Sequence, residues 1–375
     1  MPPLQPPSKV LVTGGNGFIG AWVIHALLAE GYSVRAVVRS AAKAQPLQEH
    51  YSTLDEDERV RKAGGDGRLE FAYVEDFVKD GAFDEVVQGV EGICHLASPV
   101  MIGNGPADDF IIPAVNGTLN LLRAASLPTS TIKCFIFTSS TASVSRPLSP
   151  PSPSSPDFSS FETTVFDESD WSQDVELLKE YKEKGEEEEK IPFMVKYRAS
   201  KTLAERAAWE WVKEKGEGLG WDLVVMNPPF VFGPPLIRSL SIGASVDWWF
   251  KNVVKGDAND KPDVLNYKGA FSYVDVRDYA EANVRGLQRA EAGGGRIIIA
   301  AGALSWQKAI DITNSIAPTL APLKTPLTKG VEGLVLEPLA MRYNSEKSKR
   351  VLGLEYGTYE DSVRGMVSEL SARGY

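Results

Sequence analysis

The sequence contains little cysteine and little histidine, which removes several classes of catalytic and structural site. Its 375 residues include two cysteines, Cys94 and Cys134, too few for a disulfide framework or a cysteine-based zinc site. Both lie in apolar runs, where a thiol packs as a small hydrophobic side chain. The three histidines are not accompanied by a G-x-S-x-G motif, so serine hydrolysis and metal catalysis are weak interpretations. We therefore expect no metal, and we expect the chemistry to use other side chains or a cofactor.

Long hydrophobic runs and an excess of positive charge are also absent. The sequence has no apolar run of about 18 residues, so we expect no membrane span. Its start, MPPLQPPSK, lacks the apolar core of a signal peptide. Lys plus Arg number 40 and Asp plus Glu 50, and the net charge of −10 is unfavourable for binding nucleic acid. These features predict a cytoplasmic protein that binds a small molecule and neither nucleic acid nor a membrane.

Apolar β-branched runs alternate with helical patterns along the first part of the chain. Most of these runs are almost continuously apolar, as in a parallel sheet that is covered by helices on both faces. The predicted strands are 10–13, 34–38, 69–74, 92–96, 134–138 and 223–227, and the clearest helical patterns are 17–30 and 116–125. We therefore predict an α/β fold with a Rossmann-type doubly wound parallel sheet.

The composition of the sequence changes after Pro228, where prolines and aromatic residues cluster. We predict a dinucleotide-binding domain over 8–228 and a smaller mixed C-terminal lobe over 229–375 that mainly binds substrate. Strand-like runs at 271–274 and 296–300 leave open whether segments near 270–300 return to the main sheet. The pattern leaves the oligomeric state open between monomer and homodimer.

A glycine-rich turn follows the first predicted strand. Gly14, Gly17 and Gly20 form G-x-x-G-x-x-G between that strand and the first helical pattern. Glycine permits a tight turn and a close approach of the backbone to a pyrophosphate, and the helix N-terminus attracts the phosphates. In this context within a βαβ unit, the motif predicts dinucleotide binding.

The end of the second predicted strand carries basic residues. An acidic residue at this place would bind the ribose 2′-hydroxyl of NAD. The sequence has Arg39 instead, with Lys43 four residues later. A guanidinium suits a 2′-phosphate, so the sequence favours NADP(H) as cofactor.

Tyr197 and Lys201 form Tyr-x-x-x-Lys within a helical pattern. This spacing places both side chains on one helix face. A nearby ammonium favours the phenolate, so we expect Lys201 to lower the pKa of Tyr197. The tyrosine can then exchange a proton with a carbonyl or hydroxyl oxygen while a hydride moves. Ser139 and Ser140 follow the fifth predicted strand, and we prefer Ser140 as the hydroxyl that contacts the substrate oxygen.

With these motifs in place, the chain resembles the extended short-chain dehydrogenases/reductases. Within them it is most similar to the branch of dihydroflavonol reductases and fungal NADPH-dependent aldehyde, ketone and methylglyoxal reductases. The resemblance covers nearly the whole chain. It rests on TGGNGFIG, VRS, VEDF, HLASPV, VNGTLNLL, FTSSTASV, YRASKTLAE, NPPFVFGP and FSYVDVRDYAEA.

The resemblance implies roles for individual residues. Ser140, Tyr197 and Lys201 would be catalytic, and Asp275 would be a structural carboxylate. The residues that would bind the cofactor are Gly14, Asn16, Gly17, Phe18, Ile19, Gly20, Arg39, Lys43, Asp76, Phe77, Ala97, Ser98, Thr138, Ser139, Tyr197, Lys201, Pro228, Phe230 and Val231.

The stretch between Ser140 and Tyr197 is longer than this resemblance implies. A Pro/Ser-rich segment over 145–160, which we predict to be an irregular loop, and a charge-dense segment over 176–190 account for the excess. We expect the charge-dense segment to be solvated, and the insertion to decorate the surface or to reshape the pocket entrance.

The leading hypothesis is an NADPH-dependent carbonyl reductase that acts on a small-molecule aldehyde or ketone. Phe230, Phe232, Trp248 and Trp249 would form an apolar pocket for a hydrophobic substrate, or else the core of the lobe. A sugar-nucleotide epimerase that retains NAD is an alternative, and a non-catalytic NADP(H)-sensing regulator is another. Arg39 argues against the epimerase, and the Tyr197/Lys201 pair argues against the regulator.

Overall fold

The structure is a computed structural model. It describes residues 3–53, 67–98, 105–146, 162–255, 270–320, 323–331, 339 and 341–375. Its strands are β1 (Lys9–Thr13), β2 (Ser33–Val38), β3 (Leu69–Tyr73), β4 (Gly92–His95), β5 (Cys134–Thr138), β6 (Thr164–Phe166), β7 (Asp222–Asn227), β8 (Phe230–Phe232), β9 (Ala270–Asp275), β10 (Gly295–Ile298), β11 (Gly302–Ser305) and β12 (Met341–Tyr343).

Helices alternate with these strands. They are α1 (Phe18–Ala29), α2 (Ala41–Thr53), α3 (Asp108–Ala125), α4 (Asp174–Glu183), α5 (Phe193–Lys215), α6 (Ala244–Trp249), α7 (Val276–Gln288), α8 (Trp306–Ile316), α9 (Glu346–Leu352) and α10 (Tyr359–Ala372). A π-helical turn, Phe250–Val254, continues α6.

The main sheet has seven strands in the order β10-β7-β5-β4-β1-β2-β3. Every neighbouring pair in it is parallel. The strand order reverses between β1 and β4, and ligands of doubly wound sheets bind outside the carboxyl ends of the strands at such a reversal. The predicted Rossmann-type fold is confirmed.

The central strands of the main sheet are buried because apolar side chains cover them from both faces. All five residues of β5 are buried, as are all four of β4. Two hydrophobic clusters flank the sheet, one around α1 and α7 and the other around α3 and α5. This two-sided burial explains the near-continuous apolar runs of the sequence.

Residues after β7 build one smaller sheet, add a strand to a second and also extend the main one. Strand β9 pairs parallel with β8 and antiparallel with β11, while β12 pairs parallel with β6. Strand β10 instead lies beside β7 at the edge of the main sheet. A late segment of the chain therefore contributes to the dinucleotide-binding sheet.

Helix α3 begins earlier than the sequence pattern predicts. The apolar pattern indicates a helix over 116–125, but α3 starts at Asp108 and contains Pro113. Proline normally restricts the residues before it, which hides a helix start from sequence reasoning. Asp108 and Asp109 in the first turn favour the helix N-terminus electrostatically.

The charge-dense segment forms α4 and a short 3-10 turn at 188–190. Glu186, Glu187 and Glu189 are exposed, as expected. Glu188 differs, because its carboxylate accepts a hydrogen bond of 3.1 Å from the amide of Ala107, just before α3. Most of the predicted Pro/Ser loop, 147–160, lies outside the described residues.

Candidate active site

The carboxyl ends of β1, β4, β5 and β7 lie side by side because the strands are parallel neighbours. These ends carry the glycine turn, the segment Leu96–Ser98, the segment Ser139–Ser143 and Asn227–Pro228. Helix α5 crosses the same edge and packs against α3 and the turn at 141–143. The motifs found separately in the sequence therefore meet at one edge of the sheet.

The glycine turn is built so closely that side chains would obstruct it. Gly14 has φ +70°, and a Cβ on it would lie 3.1 Å from the backbone nitrogen of Ala97. The amide of Gly17 donates to the carbonyl of Gly14 at 2.9 Å. A Cβ on Gly20 would clash with the Gly14 carbonyl oxygen and lie 2.9 Å from the Cα of Gly15. Glycine is therefore required at both ends of the turn.

The N-terminus of α1 is open. Gly17 precedes the helix and supplies no side-chain cap, and the first turn of α1 carries no acidic residue. The first amides of a helix have no intrahelical acceptor, so an uncapped start presents them to an anion. Asn16, Phe18 and Ile19 belong to this same turn and first helical residues. The turn thus has the form that a pyrophosphate needs.

A buried histidine joins β1 to β4 and α3 just below the glycine turn. The hydroxyl of Thr13 accepts from the amides of Leu96 and Ala97, each at 3.1 Å, and lies 2.8 Å from His95 Nδ1. With both amides donating to it, the hydroxyl gives its proton to Nδ1. Burial lowers the pKa of His95 to about 3, so the neutral ring links the strand ends and is not an acid or base.

Arg39 and Lys43 lie where the sequence predicts them, after β2 and at the start of α2. Both are exposed, and among the described residues no hydrogen bond or ion pair occupies either side chain. Asp76 and Phe77 follow β3 on the same side of the sheet. The Asp76 carboxylate accepts from the amide of Val78 at 2.8 Å, and Phe77 is half-buried against Phe83.

Tyr197 and Lys201 lie on one face of α5, with the Lys201 Nζ 5.9 Å from the centroid of the tyrosine ring. The ammonium donates to Ser98 Oγ at 2.9 Å, beyond the end of β4. Tyr197 stacks on Phe193 with 5.9 Å between ring centroids. The Lys201–Ser98 hydrogen bond thus fixes this face of α5 against the carboxyl end of β4.

The pKa of Tyr197 differs from the sequence expectation. Burial raises the pKa of this phenol above its usual value, and a hydrogen bond with the Ser140 side chain is the interaction that lowers it. The pKa of Tyr197 is therefore not lowered overall, contrary to the expectation from the sequence, because the desolvation of the buried phenol outweighs the interactions that favour the phenolate. Burial also lowers the pKa of Lys201 to about 8, and the charge of Glu205 opposes that shift.

Ser140 faces Tyr197, while its neighbours face elsewhere. Its Oγ accepts from the amide of Ala142 at 3.1 Å and lies 3.4 Å from the carbonyl oxygen of Pro228. Ser139 is buried and its hydroxyl donates to Glu205 at 2.5 Å. The hydroxyl of Thr138 accepts from Tyr279 at 2.7 Å. The side chains of Ser139 and Thr138 are therefore engaged within the protein.

The four aromatic residues predicted to form a pocket divide into two groups. Phe232 and Trp249 are buried in the core, and the Trp249 indole donates to the Tyr359 hydroxyl at 2.8 Å. Phe230 and Trp248 are half-buried and stack with 5.1 Å between centroids. Val231, which lies between Phe230 and Phe232 in the sequence of β8, is buried. Of the four predicted aromatic side chains, Phe230 and Trp248 are the two with surface to offer a ligand.

Asp275 begins α7 and accepts from the amide of Arg277 at 2.9 Å. Its other oxygen accepts from Ser362 on α10 at 2.6 Å. The carboxylate thereby joins two helices of the C-terminal part.

A family model described as "Male sterility protein", an NAD-binding family, matches residues 12–256. The chain belongs to the extended short-chain dehydrogenase/reductase family. The match includes the glycine turn, Ser140 and the Tyr197/Lys201 pair.

Relatives in this family carry the names of carbonyl reductases. A ketoreductase of Aspergillus niger, azaE, is 30% identical, with 96% of this chain and 97% of that protein covered. Aldehyde reductase 2 of Sporidiobolus salmonicolor is 34% identical, with 72% and 70% covered. A crystal structure of Gre2 from Candida albicans in complex with NADPH has a TM-score of 0.75 at 28% identity, with 98% and 99% covered.

More distant solved structures show a likeness of fold alone. A UDP-N-acetylglucosamine 4-epimerase from Methanobrevibacter ruminantium has a TM-score of 0.61 at 16% identity, with 99% and 100% covered. Within the described residues, no helix is both long enough and apolar enough to cross a bilayer. The same part of the chain holds no cluster of side chains suited to a metal ion.

Sequence reasoning missed a buried ion pair in this member of the extended short-chain dehydrogenases/reductases. Glu205 on α5 and Arg296 on β10 are joined at 2.6 Å with the carboxylate fully buried. A signal was available, because Glu205 follows Lys201 by four residues and so lies on the helix face that carries Tyr197 and Lys201. Its partner could not be found from spacing, since it lies on a strand far along the chain.

Proposed function

We propose that the protein reduces an aldehyde or ketone to the alcohol with NADPH. The placement of Tyr197 and Lys201 on one face of α5, with the Lys201 Nζ bound to Ser98 at 2.9 Å beyond the end of β4 and so beside the glycine turn, carries this proposal. The relatives named ketoreductase and aldehyde reductase support it, and the NADPH complex of Gre2 supports the cofactor.

The residues present suit the cofactor. A Cβ at Gly14 or Gly20 would obstruct the turn, and the uncapped start of α1 can bind the pyrophosphate. Arg39 and Lys43 would bind the 2′-phosphate, Asp76 and Phe77 the adenine, and Lys201 the nicotinamide ribose. The cleft would be completed by Asn16, Phe18, Ile19, Ala97, Ser98, Thr138, Ser139, Pro228, Phe230 and Val231.

The chemistry divides among three side chains. NADPH, when bound, supplies the hydride. Ser140 and Tyr197 donate hydrogen bonds to the carbonyl oxygen, and Tyr197 transfers its proton to the oxygen as negative charge develops. Because burial raises the pKa of Tyr197, the phenol is protonated at neutral pH, which is the form that reduction requires. The Lys201 ammonium stabilises the phenolate left after transfer.

Substitution of Arg39 tests the choice of cofactor. In Arg39→Ala we expect the affinity for NADPH to fall roughly tenfold to a hundredfold, because a charge-assisted contact to the 2′-phosphate is lost. The affinity for NADH should not change, since it lacks that phosphate. Quenching of protein fluorescence measures both. Equal losses for the two cofactors would contradict the assignment.

Lys201 gives the reaction a pH dependence. Its ammonium is present below the lowered pKa of about 8 and is lost as the pH rises through it. We therefore expect kcat/KM, which reports the free enzyme, to fall as the pH rises through about 8. In Lys201→Arg this alkaline decline should disappear, because a guanidinium stays protonated. A wild-type profile that stays flat above this range would contradict the role of Lys201.

The substrate class is open to direct measurement. Purified protein with NADPH or NADH is mixed with aldehydes, diketones and aryl ketones while the absorbance of reduced nicotinamide is followed. We expect NADPH oxidation, with hydrophobic carbonyls favoured by the Phe230–Trp248 stack. NAD retained through purification would favour the epimerase, and tight NADPH binding without turnover would favour the regulator.

We also propose that 8–228 with β10 forms the cofactor domain, and that 229–375 mainly forms the substrate lobe. The protein would act in the cytoplasm as a monomer or homodimer.

A further inference from the structure

Behind Ser140 lies a buried polar cluster that the proposed chemistry does not use. We call it the Glu205 cluster, and its members are Ser139, Ser143, Glu205, Asn227 and Arg296. They come from the ends of β5, β7 and β10 and from α5. Each is less than a tenth exposed, and Glu205 is fully buried. A buried carboxylate persists only when its oxygens are hydrogen-bonded and its charge is balanced.

The carboxylate of Glu205 is engaged on both oxygens. Oε1 accepts from Arg296 Nε at 2.6 Å. Oε2 accepts from Ser139 Oγ at 2.5 Å and from Asn227 Nδ2 at 2.9 Å, and Ser143 Oγ also lies 2.5 Å from it. The Glu205 side chain on α5 thus binds residues of, or next to, three strands of the main sheet, β5, β7 and β10.

These contacts hold the backbone on both sides of Ser140. Ser139, immediately before it, is bound by its hydroxyl to Glu205. The carbonyl oxygen of Ser140 itself accepts from Asn227 Nδ2 at 3.1 Å and from Ser143 Oγ at 2.7 Å. The Ser140 hydroxyl is therefore aimed at Tyr197 by a backbone that the Glu205 cluster holds in place.

Glu205 also supplies the negative charge near Lys201. The titratable and charged groups around this lysine in the described residues are His95 on β4 and Tyr197 and Glu205 on α5, with Arg296 on β10 behind Glu205. His95 is neutral because burial lowers its pKa to about 3. The pKa of Tyr197 is raised by burial, so it too is uncharged at neutral pH. Glu205 is thus the group that opposes the loss of the lysine proton.

Arg296 connects the cluster to the stretch between Ser140 and Tyr197. Its Nη1 donates to the carbonyl oxygens of Glu168 and Asp170, at 2.9 and 2.5 Å. Its guanidinium carbon lies 3.9 Å from the ring centroid of Trp171. Residues between the Pro/Ser-rich and charge-dense segments therefore cover the guanidinium, which is less than a tenth exposed.

We propose that Glu205 is a positioning residue of the reductase, which orients Ser140 through its hydrogen bonds and places its carboxylate one turn of α5 from Lys201. The inference rests on the proposed carbonyl reduction. It assigns to Glu205 no contact with substrate or cofactor.

Glu205→Gln is the principal test, because glutamine keeps the size of the side chain and removes the charge. We expect kcat to fall by about a hundredfold, as for a displaced reacting group. The alkaline decline of kcat/KM should also move to lower pH, since Lys201 loses the charge that favours its ammonium. The pH dependence of the NADPH dissociation constant, measured by fluorescence without turnover, should move in the same direction.

Two further variants separate positioning from stability. Ser143→Ala leaves the Glu205–Arg296 ion pair intact, so it tests the cluster even where Glu205→Gln does not fold. We expect about a tenfold lower kcat, because the hold on the Ser140 carbonyl is weakened, and an unmoved alkaline decline, because Glu205 keeps its charge and its bond to Arg296. Glu70→Gln is the matched control, because Glu70 pairs with Arg35 at 2.6 Å on β2 and β3, away from the site. It should leave kcat and both pH profiles unchanged.

The outcomes distinguish the two proposals. Wild-type protein that reduces no carbonyl with NADPH would contradict the proposed function. Wild-type turnover would leave that function intact, and the positioning role would then be wrong if folded Glu205→Gln kept the wild-type alkaline decline. It would also be wrong if Ser143→Ala kept the wild-type kcat.

Discussion

Replacing Tyr197 with phenylalanine should lower kcat for carbonyl reduction by roughly a hundredfold to ten-thousandfold, the range typical of a lost general acid. The change removes one hydroxyl and keeps the ring, which stacks on Phe193. We therefore expect the thermal unfolding midpoint and the NADPH dissociation constant to stay close to those of the wild type. The absorbance of reduced nicotinamide measures kcat. Fluorescence titration with NADPH measures the dissociation constant separately.

The matched control is Tyr181→Phe, which removes a hydroxyl from a half-buried tyrosine on the neighbouring helix α4. Its kcat should equal that of the wild type. If Tyr197→Phe kept more than about a tenth of the wild-type kcat, another group would have to supply the proton.

Replacing Gly20 with alanine should weaken NADPH binding and destabilise the fold. The added Cβ would meet the Gly14 carbonyl oxygen and lie 2.8 Å from its carbonyl carbon. These are backbone atoms that cannot move without opening the glycine turn. Overpacking in a tight site typically costs about 1–3 kcal/mol, and a displaced turn no longer presents the first amides of α1 to a pyrophosphate. We expect a lower unfolding midpoint and an NADPH affinity reduced by at least about tenfold.

Gly220→Ala provides the comparison. Gly220 is exposed, and a Cβ there would have open space around it. We expect neither the unfolding midpoint nor the NADPH affinity to change. If Gly20→Ala behaved like Gly220→Ala, the close packing of the turn would not be what binds the cofactor.

Sequence reasoning succeeded where the information is local. Strand β5 lies at the predicted residues, and β1 and β2 differ from prediction by one residue at their start. A strand buried on both faces needs a continuous apolar run, and such runs are visible in any sequence. Gly20 was also predictable, because a tight turn between residues close in the chain leaves no room for a side chain there. Sequence reasoning failed at the start of α3. The helix runs through Pro113, and a proline normally indicates that a helix does not extend across it.

The arrangement of the site depended on contacts between distant residues. Lys201 and Ser98 are joined across the sheet edge, and Ser139 is turned away from the cleft by Glu205. The sequence favours Ser140 over Ser139 without showing where either side chain points, and alternate residues leaving a strand point to opposite sides. Only the folded sheet shows which of them faces Tyr197.

The sequence by itself determined the Rossmann-type fold, the glycine turn and the helix face that carries Tyr197 and Lys201, because each follows from periodicity or from the size of one residue. The tertiary structure decided that Ser140 meets Tyr197, that Glu205 pairs with Arg296, and that burial raises the pKa of the tyrosine. Desolvation and long-range hydrogen bonds arise only when distant segments pack together. They cannot be read from spacing along the chain.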